Sequence, residues 1–119
     1  MHKILIVGFG SIGFRYFEAI SKIKFPKIKV FIVDKKINII LKKLNSLNKS
    51  VTVCPGLENI PSKIDLVIIA TTSNNRHILI KNLKKNCKFK NLIIEKPLTQ
   101  SPRELLKLDN ILNDIGNIW

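Results

Sequence analysis

The sequence predicts an α/β fold in which helices cover both faces of a doubly wound parallel sheet. Short β-branched runs, of which residues 3–7 are the first, alternate with stretches whose apolar residues recur at helical spacing. The short runs are apolar throughout, which is typical of strands buried on both faces. Strands and helices in alternation favour parallel pairing through right-handed crossovers.

The first half of the chain contains three of the predicted strands, at residues 3–7, 29–33 and 51–53. A helix is predicted after each of the first two strands, from an apolar stripe. The first stripe comprises Ile12, Tyr16, Ala19, Ile20 and Ile23. The second comprises Ile37, Ile40, Leu41, Leu44 and Leu47. Pro55 and Gly56 predict a turn after the third strand.

The second half contains two further strands, at residues 65–70 and 91–94, with a helix between them over about residues 75–85. The final helix has the clearest boundary, because Ser101 and Glu104 form a capping box with Pro102 at the first helical position. Gly116 is expected in the left-handed conformation that ends many helices. Residues 117–119 are apolar enough to begin a sixth strand, so we expect about five strands and a truncated sixth.

The composition predicts one soluble domain over residues 1–119, because 119 residues with 45% hydrophobic content can bury a core. A formal net charge of +13 is compatible with a nucleic-acid partner. The lysines are dispersed, however, and aromatic residues do not interleave with them as stacking platforms would. No apolar stretch has the length of a membrane span. We therefore expect a solvated basic surface and neither a nucleic-acid nor a membrane partner.

The two cysteines, Cys54 and Cys87, are too far apart in the sequence to form a Cys-x-x-Cys pair. With only two histidines, the chain also lacks a recognisable metal-ligand pattern. We expect free, reduced thiols, no metal site and a cytoplasmic location.

A glycine-rich loop follows the first strand, with the sequence Gly8-Phe9-Gly10-Ser11-Ile12-Gly13. G-x-G-x-x-G between a strand and a helix is the fingerprint of a Rossmann dinucleotide-binding fold. We expect Gly8 to permit a tight turn, Gly10 to admit a pyrophosphate and Gly13 to let the helix approach the strand. The N–H groups at the helix start would bind the phosphates. The alternative is an ordinary glycine turn.

Asp34 lies at the end of the second predicted strand, 21 residues after Gly13. A carboxylate at this place can accept hydrogen bonds from the adenosine ribose, and it would repel a 2′-phosphate. Asp34 thus favours NAD over NADP. Lys35 and Lys36 follow directly and could hold a 2′-phosphate, so NADP stays possible.

Polar residues follow the fourth and fifth predicted strands, where ligands bind in open parallel sheets. Thr71 and Thr72 come after the fourth strand, and Glu95, Lys96 and Pro97 come after the fifth. Lys96 could present a cation to a substrate oxygen or take part in proton transfer, which makes it the candidate catalytic residue.

This combination of motifs resembles the glucose–fructose oxidoreductase/inositol dehydrogenase (Gfo/Idh/MocA) family. The glycine loop with Asp34, the Ala70-Thr71-Thr72 segment and the segment 94–98 (IEKPL) carry the resemblance along essentially the whole chain.

The resemblance implies that residues 9–12 line the pyrophosphate and that Thr71 and Thr72 lie along the dinucleotide. It also implies that Glu95 and Lys96 approach the nicotinamide ribose and the substrate. One departure is that Arg76 stands where the family often has His, while His77 comes one residue late.

Three functional hypotheses follow. The first is the NAD(P)-binding domain of an oxidoreductase acting on a small polyol or sugar, with the substrate domain absent and the chain inactive alone. The second is a stand-alone dinucleotide-binding sensor or subunit. The third, a nucleic-acid-binding domain, ranks last. An open strand edge and exposed apolar surface also make self-association possible.

Overall fold

A computed structural model of the chain describes residues 1–36, 38, 51–72 and 74–119. Six strands form one parallel sheet in the order β3-β2-β1-β4-β5-β6. The strands are β1 (His2–Val7), β2 (Ile28–Val33), β3 (Val51–Cys54), β4 (Leu66–Ile69), β5 (Asn91–Ile94) and β6 (Asn117–Ile118). The described helices are α1 (Ser11–Ser21), α2 (Arg76–Asn86) and α3 (Pro102–Leu112), with a short 3₁₀ turn at Leu57–Asn59. The predicted doubly wound α/β fold is confirmed.

The central strands β1, β2 and β4 contain consecutive buried residues on both faces, as their continuous apolar runs predict. Alternate residues point to opposite faces, so Ile6 packs with α1 on one face while Leu5 packs with α2 and α3 on the other. Val67 and Leu92, which pair across β4 and β5, are fully buried. Helices therefore cover both faces of the sheet.

The buried face of α1 differs from the predicted stripe. Gly13, Phe17 and Ile20 face the sheet, whereas Ile12 and Ile23 are 43% and 48% exposed. The orientation follows from Gly13, because a Cβ atom there would lie 2.1 Å from the carbonyl oxygen of Gly8. Only a glycine allows this contact, so residue 13 faces β1 and fixes the helix rotation. Ala19 is exposed and Tyr16 is half-buried.

The start of α3 matches the prediction. Pro102 opens the helix, and the Ser101 hydroxyl accepts a hydrogen bond from the Glu104 N–H at 3.2 Å. The Glu104 carboxylate reaches one residue further back than a capping box requires and accepts from the Gln100 N–H at 3.3 Å.

The predicted left-handed Gly116 is wrong. The helix ends at Leu112 with Asn113 in the right-handed region, and Gly116 does not have a positive φ. Gly116 instead lies against β5, where an added Cβ would be 3.2 Å from the carbonyl oxygen of Lys90. Its place is at the entry to β6 and not at a helix cap.

The predicted helix with its stripe over residues 37–47 lies outside the described residues, apart from residue 38. None of the described helices has the length and hydropathy needed to cross a membrane.

Candidate functional site

The glycine loop joins β1 to α1 at the carboxyl edge of the sheet. Gly8 has a φ of +89°, and a Cβ there would lie 2.9 Å from the backbone of Ala70 and from the Cγ2 atom of Thr71. A side chain at residue 8 would therefore be strained and would clash with the end of β4. Together with the contact of Gly13 on Gly8, this packing holds the loop tightly between two strands.

Gly10 is the exception in this loop. Among the described residues, and apart from its two chain neighbours, no heavy atom lies within 4 Å of the position that its Cβ would occupy. Gly10 is exposed and precedes the first residue of α1, and its carbonyl oxygen accepts the Phe14 N–H at 3.0 Å. The described residues thus leave open the space in front of the helix N-terminus, where an anion would bind.

The loop residues between the glycines have different environments. Phe9 is 3% exposed, and its ring makes edge contacts with Phe14 and Phe17. Its side chain therefore anchors the loop in the core and is not available to a ligand. Ser11 and Ile12 are exposed at the first turn of α1, on the open side of the loop.

Asp34 connects the end of β2 to the glycine loop. Its carboxylate accepts the Phe9 N–H at 2.7 Å and the Lys36 N–H at 2.8 Å. Each oxygen retains a further lone pair, so the half-buried carboxylate can still accept a hydroxyl hydrogen. Lys35 is exposed beside it.

Thr71 and Thr72 follow β4 on the other side of the loop. Thr71 is half-buried against Gly8, and Thr72 is exposed. The structure thus brings together the glycine loop, Asp34 and Thr71 at one edge of the sheet.

Glu95 follows β5, and its N–H donates to the carbonyl oxygen of Ile69 at 3.1 Å. The Tyr16 hydroxyl of α1 donates to its Oε1 atom. This hydrogen bond, together with burial and the carboxylate charge, raises the pKa of Tyr16 to about 12. Sequence reasoning placed Tyr16 only on an apolar stripe and missed this contact, which links α1 to the end of β5.

Lys96 is exposed and lies beside Glu95 on a groove along the α1 face of the sheet. The groove has a volume of about 1020 Å³. The strand residues Ile4, Leu66 and Ile93 line its floor, and Trp119, which is 66% exposed, lies on its wall. The groove therefore reaches the carboxyl edge of the sheet at the two charged residues.

Arg76, at the start of α2, is 1% exposed. Its guanidinium donates to the carbonyl oxygens of Thr71, Glu95, Pro97 and Leu98. Burial lowers the pKa of Arg76, and the nearby Glu95 charge opposes that shift. Sequence reasoning gave Arg76 no role, although its spacing from Ile80 and Leu83 places it on the buried face of α2.

His77 is half-buried, and its Nδ1 atom has no hydrogen-bond partner among the described residues.

The open space beside Gly10, the helix N-terminus and the Asp34 carboxylate fit a dinucleotide. Nowhere in the described part of the chain do three His, Cys, Asp or Glu side chains come together as metal ligands.

Comparison with protein families gives a match over residues 2–119. The matching family is described as the GFO_IDH_MocA oxidoreductase family, NAD-binding Rossmann fold. The comparison with curated proteins gives no match.

Solved structures with the same fold include scyllo-inositol dehydrogenase from Lactobacillus casei, with a TM-score of 0.75 and 18% identity over 99% of this chain and 36% of that protein. Myo-inositol 2-dehydrogenase from Lactobacillus plantarum has a TM-score of 0.73 and 16% identity, covering 98% of this chain and 35% of that protein. A Desulfitobacterium hafniense protein described as an NADPH-dependent oxidoreductase has a TM-score of 0.74 and 14% identity, and the match covers 99% of this chain and 33% of that protein. The chain spans about a third of the length of these proteins.

Proposed function

Because the chain belongs to the Gfo/Idh/MocA oxidoreductase family and forms its NAD-binding Rossmann domain, we propose that it binds NAD(H) at the glycine loop. The observation that carries the proposal is the contrast within the loop. Gly8 and Gly13 lie in closed contacts that any side chain would break, whereas the space beside Gly10 is open. A loop that served only as a turn would not need a glycine at residue 10.

The adenosine half would bind on the β1–β2 side of the crevice. The N–H groups of residues 10–12 would hold the pyrophosphate, with Phe9 fixing the loop from below and Gly13 setting the helix. Asp34 would accept the ribose hydroxyls. Thr71 and Thr72 would lie along the dinucleotide, and Glu95 would approach the nicotinamide ribose.

We propose NAD over NADP because Asp34 is held by two N–H groups at the ribose position, where its charge would repel a 2′-phosphate. Lys35 and Lys36 act against this preference. Calorimetric titration should give a lower dissociation constant for NAD than for NADP. Equal or reversed affinities would refute the preference while leaving dinucleotide binding intact, and absence of binding by either would refute the proposed function.

Bound NAD supplies hydride transfer, and we propose a sugar or cyclitol as the other reactant, since two neighbours are inositol dehydrogenases. The exposed ammonium of Lys96 would contact the substrate oxygen and serve as the catalytic residue. Positioning a substrate carbon at the nicotinamide needs more substrate-binding residues than residues 1–119 place around this crevice. A substrate domain outside residues 1–119 would supply them, and residues 1–119 alone would be inactive.

A chimaera tests this pairing. Residues 1–119 would replace the matched third of the L. casei scyllo-inositol dehydrogenase. The chimaera should oxidise scyllo-inositol with NAD. Lys96→Ala should abolish its turnover while leaving NAD affinity within about twofold, and the exposed Lys107→Ala should alter neither. Full turnover by the Lys96 variant would remove the catalytic role.

The groove supports a partner as well. Among the described residues, α1 is the helix on this face, and the floor of Ile4, Leu66 and Ile93 beside it is apolar. We propose that the substrate domain, or a second copy of the chain, covers this floor. Sedimentation velocity of the isolated chain should show concentration-dependent association if a second copy does so, and a monomer at all concentrations would exclude it.

We propose a reducing compartment, the cytoplasm, because Cys54 and Cys87 are free and buried. Alkylation in intact cells followed by mass spectrometry of the denatured protein should find both as thiols. A disulfide would contradict this location.

A further inference from the structure

We propose that Arg76 is a positioning residue that holds the Glu95–Leu98 loop at the nicotinamide end of the crevice. This inference rests on the proposed function, because the loop carries the groups assigned to the nicotinamide ribose and the substrate. Arg76 itself is buried beneath the loop, so it would act on a ligand through the backbone it binds and not by direct contact.

The guanidinium joins the two loops that flank the crevice. Its Nη2 atom donates to the Thr71 carbonyl oxygen at 2.8 Å, after β4. Its Nη1 atom donates to the carbonyl oxygens of Glu95 and of Pro97, the latter at 2.7 Å, with Leu98 further away at 3.4 Å. One rigid, planar group thus sets the separation of the β4 and β5 loops.

The electrostatics favour a positioning role over a stabilising one. A guanidinium that is 1% exposed has lost its hydration, and its hydrogen-bond acceptors among the described residues are neutral carbonyl oxygens, although the nearby Glu95 charge offsets part of that loss. Its Nε atom has no partner in the described part of the chain. Buried charges of this kind are often less stabilising than an apolar residue of similar volume. In this chain the hydrogen bonds of Arg76 specify a backbone geometry.

That geometry reaches the proposed site through Glu95. Its carbonyl oxygen accepts from Arg76, its N–H donates to Ile69, and its carboxylate accepts from Tyr16. Three contacts from three elements fix this one residue. Of these, the Arg76 contact continues to Pro97, so it also determines where the intervening Lys96 stands.

The test compares two ligands on the 119-residue chain. ADP contains the adenosine half and the pyrophosphate, whereas NADH adds the nicotinamide half. In Arg76→Lys, a single ammonium replaces the planar guanidinium and cannot donate to the loops after β4 and β5 with the same geometry. Calorimetry should show an NADH dissociation constant raised by about tenfold, as expected for losing about one hydrogen bond. The ADP value should stay within about twofold of wild type. The exposed Arg103→Lys is the matched control and should change neither.

Parallel weakening of ADP and NADH in a folded Arg76→Lys would mean a merely structural role and would overturn the inference, as would unchanged affinity for both. If wild type binds neither ligand, the proposed function falls, and this inference falls with it.

A measurement on the wild type decides the matter if the variant does not fold. Backbone ¹⁵N relaxation of the unliganded chain should give Glu95, Lys96 and Leu98 amide order parameters of about 0.85, as in the strands. Values below about 0.6 would show that Arg76 does not hold this loop and would overturn the inference.

Discussion

Gly10→Val is the sharpest perturbation of the proposed dinucleotide site, because it separates binding from folding. The φ of Gly10 is −74°, which any residue adopts, and a Cβ placed there has no atom of the other described residues within 4 Å, its two chain neighbours aside. The unliganded chain should therefore accept the substitution, with the free energy of unfolding lowered by less than about 1 kcal/mol for the loss of a favourable N-cap glycine.

A ligand should not accept it. A side chain at residue 10 would occupy the open space before α1 and displace a phosphate from the N–H groups there. A hydrogen bond to a charged group contributes about 1.5–3 kcal/mol, so losing one should raise the NAD dissociation constant roughly 10- to 150-fold. Gly10→Ala should have a smaller effect of the same sign.

The assay is calorimetric titration with NAD beside a guanidinium unfolding curve for each variant. Gly56→Ala is the control, since Gly56 also precedes a helical turn with an extended φ of −158°. The nearest atoms to its added Cβ would be those of the Glu58 carboxylate, the end of a flexible, exposed side chain that can move aside. If Gly10→Val binds NAD as wild type does and remains equally stable, the pyrophosphate does not lie at this glycine and the reasoning is refuted.

Three further outcomes follow from the packing. Gly13→Ala should destabilise the fold by about 3 kcal/mol or more in denaturant unfolding, because its Cβ would lie 2.1 Å from the Gly8 carbonyl oxygen; a smaller loss would contradict that contact. Tyr16 is the sole tyrosine, so absorbance at alkaline pH should follow its ionisation near pH 12, and Glu95→Gln should move the midpoint toward 10. Because the pKa of Tyr16 is raised in the folded state, its hydrogen bond to Glu95 stabilises the fold below pH 10, and this stabilisation is lost as the pH rises through 12. A wild-type titration midpoint near pH 10 would contradict the hydrogen bond. Burial raises the pKa of Cys87 to about 11, so both thiols should react with a thiolate-directed disulfide reagent only after unfolding, and fast native labelling would contradict their burial.

The sequence was most informative where local chemistry determines structure. The apolar β-branched runs predicted the sheet, and β5 was predicted at the residues where it is found. The glycine loop was recognisable because two of its glycines are required by backbone contacts. The cap of α3 was likewise predictable from three residues within one helical turn, Ser101, Pro102 and Glu104.

The rest depended on contacts between distant segments. The stripe predicted for α1 began at Ile12, but the contact of Gly13 with Gly8 rotates the helix so that Phe17 and Ile20 face the sheet. Arginine is usually a surface residue. Arg76 can be buried because its guanidinium donates to carbonyl groups about 20 positions away. The hydrogen bond from Tyr16 to Glu95 spans 79 positions, which no local pattern reveals.

The Asp34 carboxylate has a consequence for redesign. The carboxylate that would bind the ribose also accepts the Phe9 N–H, so it helps to hold the glycine loop in place. Replacing it to admit a 2′-phosphate would also remove the hydrogen bond that joins the glycine loop to the end of β2. A single substitution should therefore shift selectivity toward NADP but weaken the binding of both dinucleotides. A change of cofactor in this chain therefore requires a paired change, one that alters the charge and another that restores an acceptor for the loop.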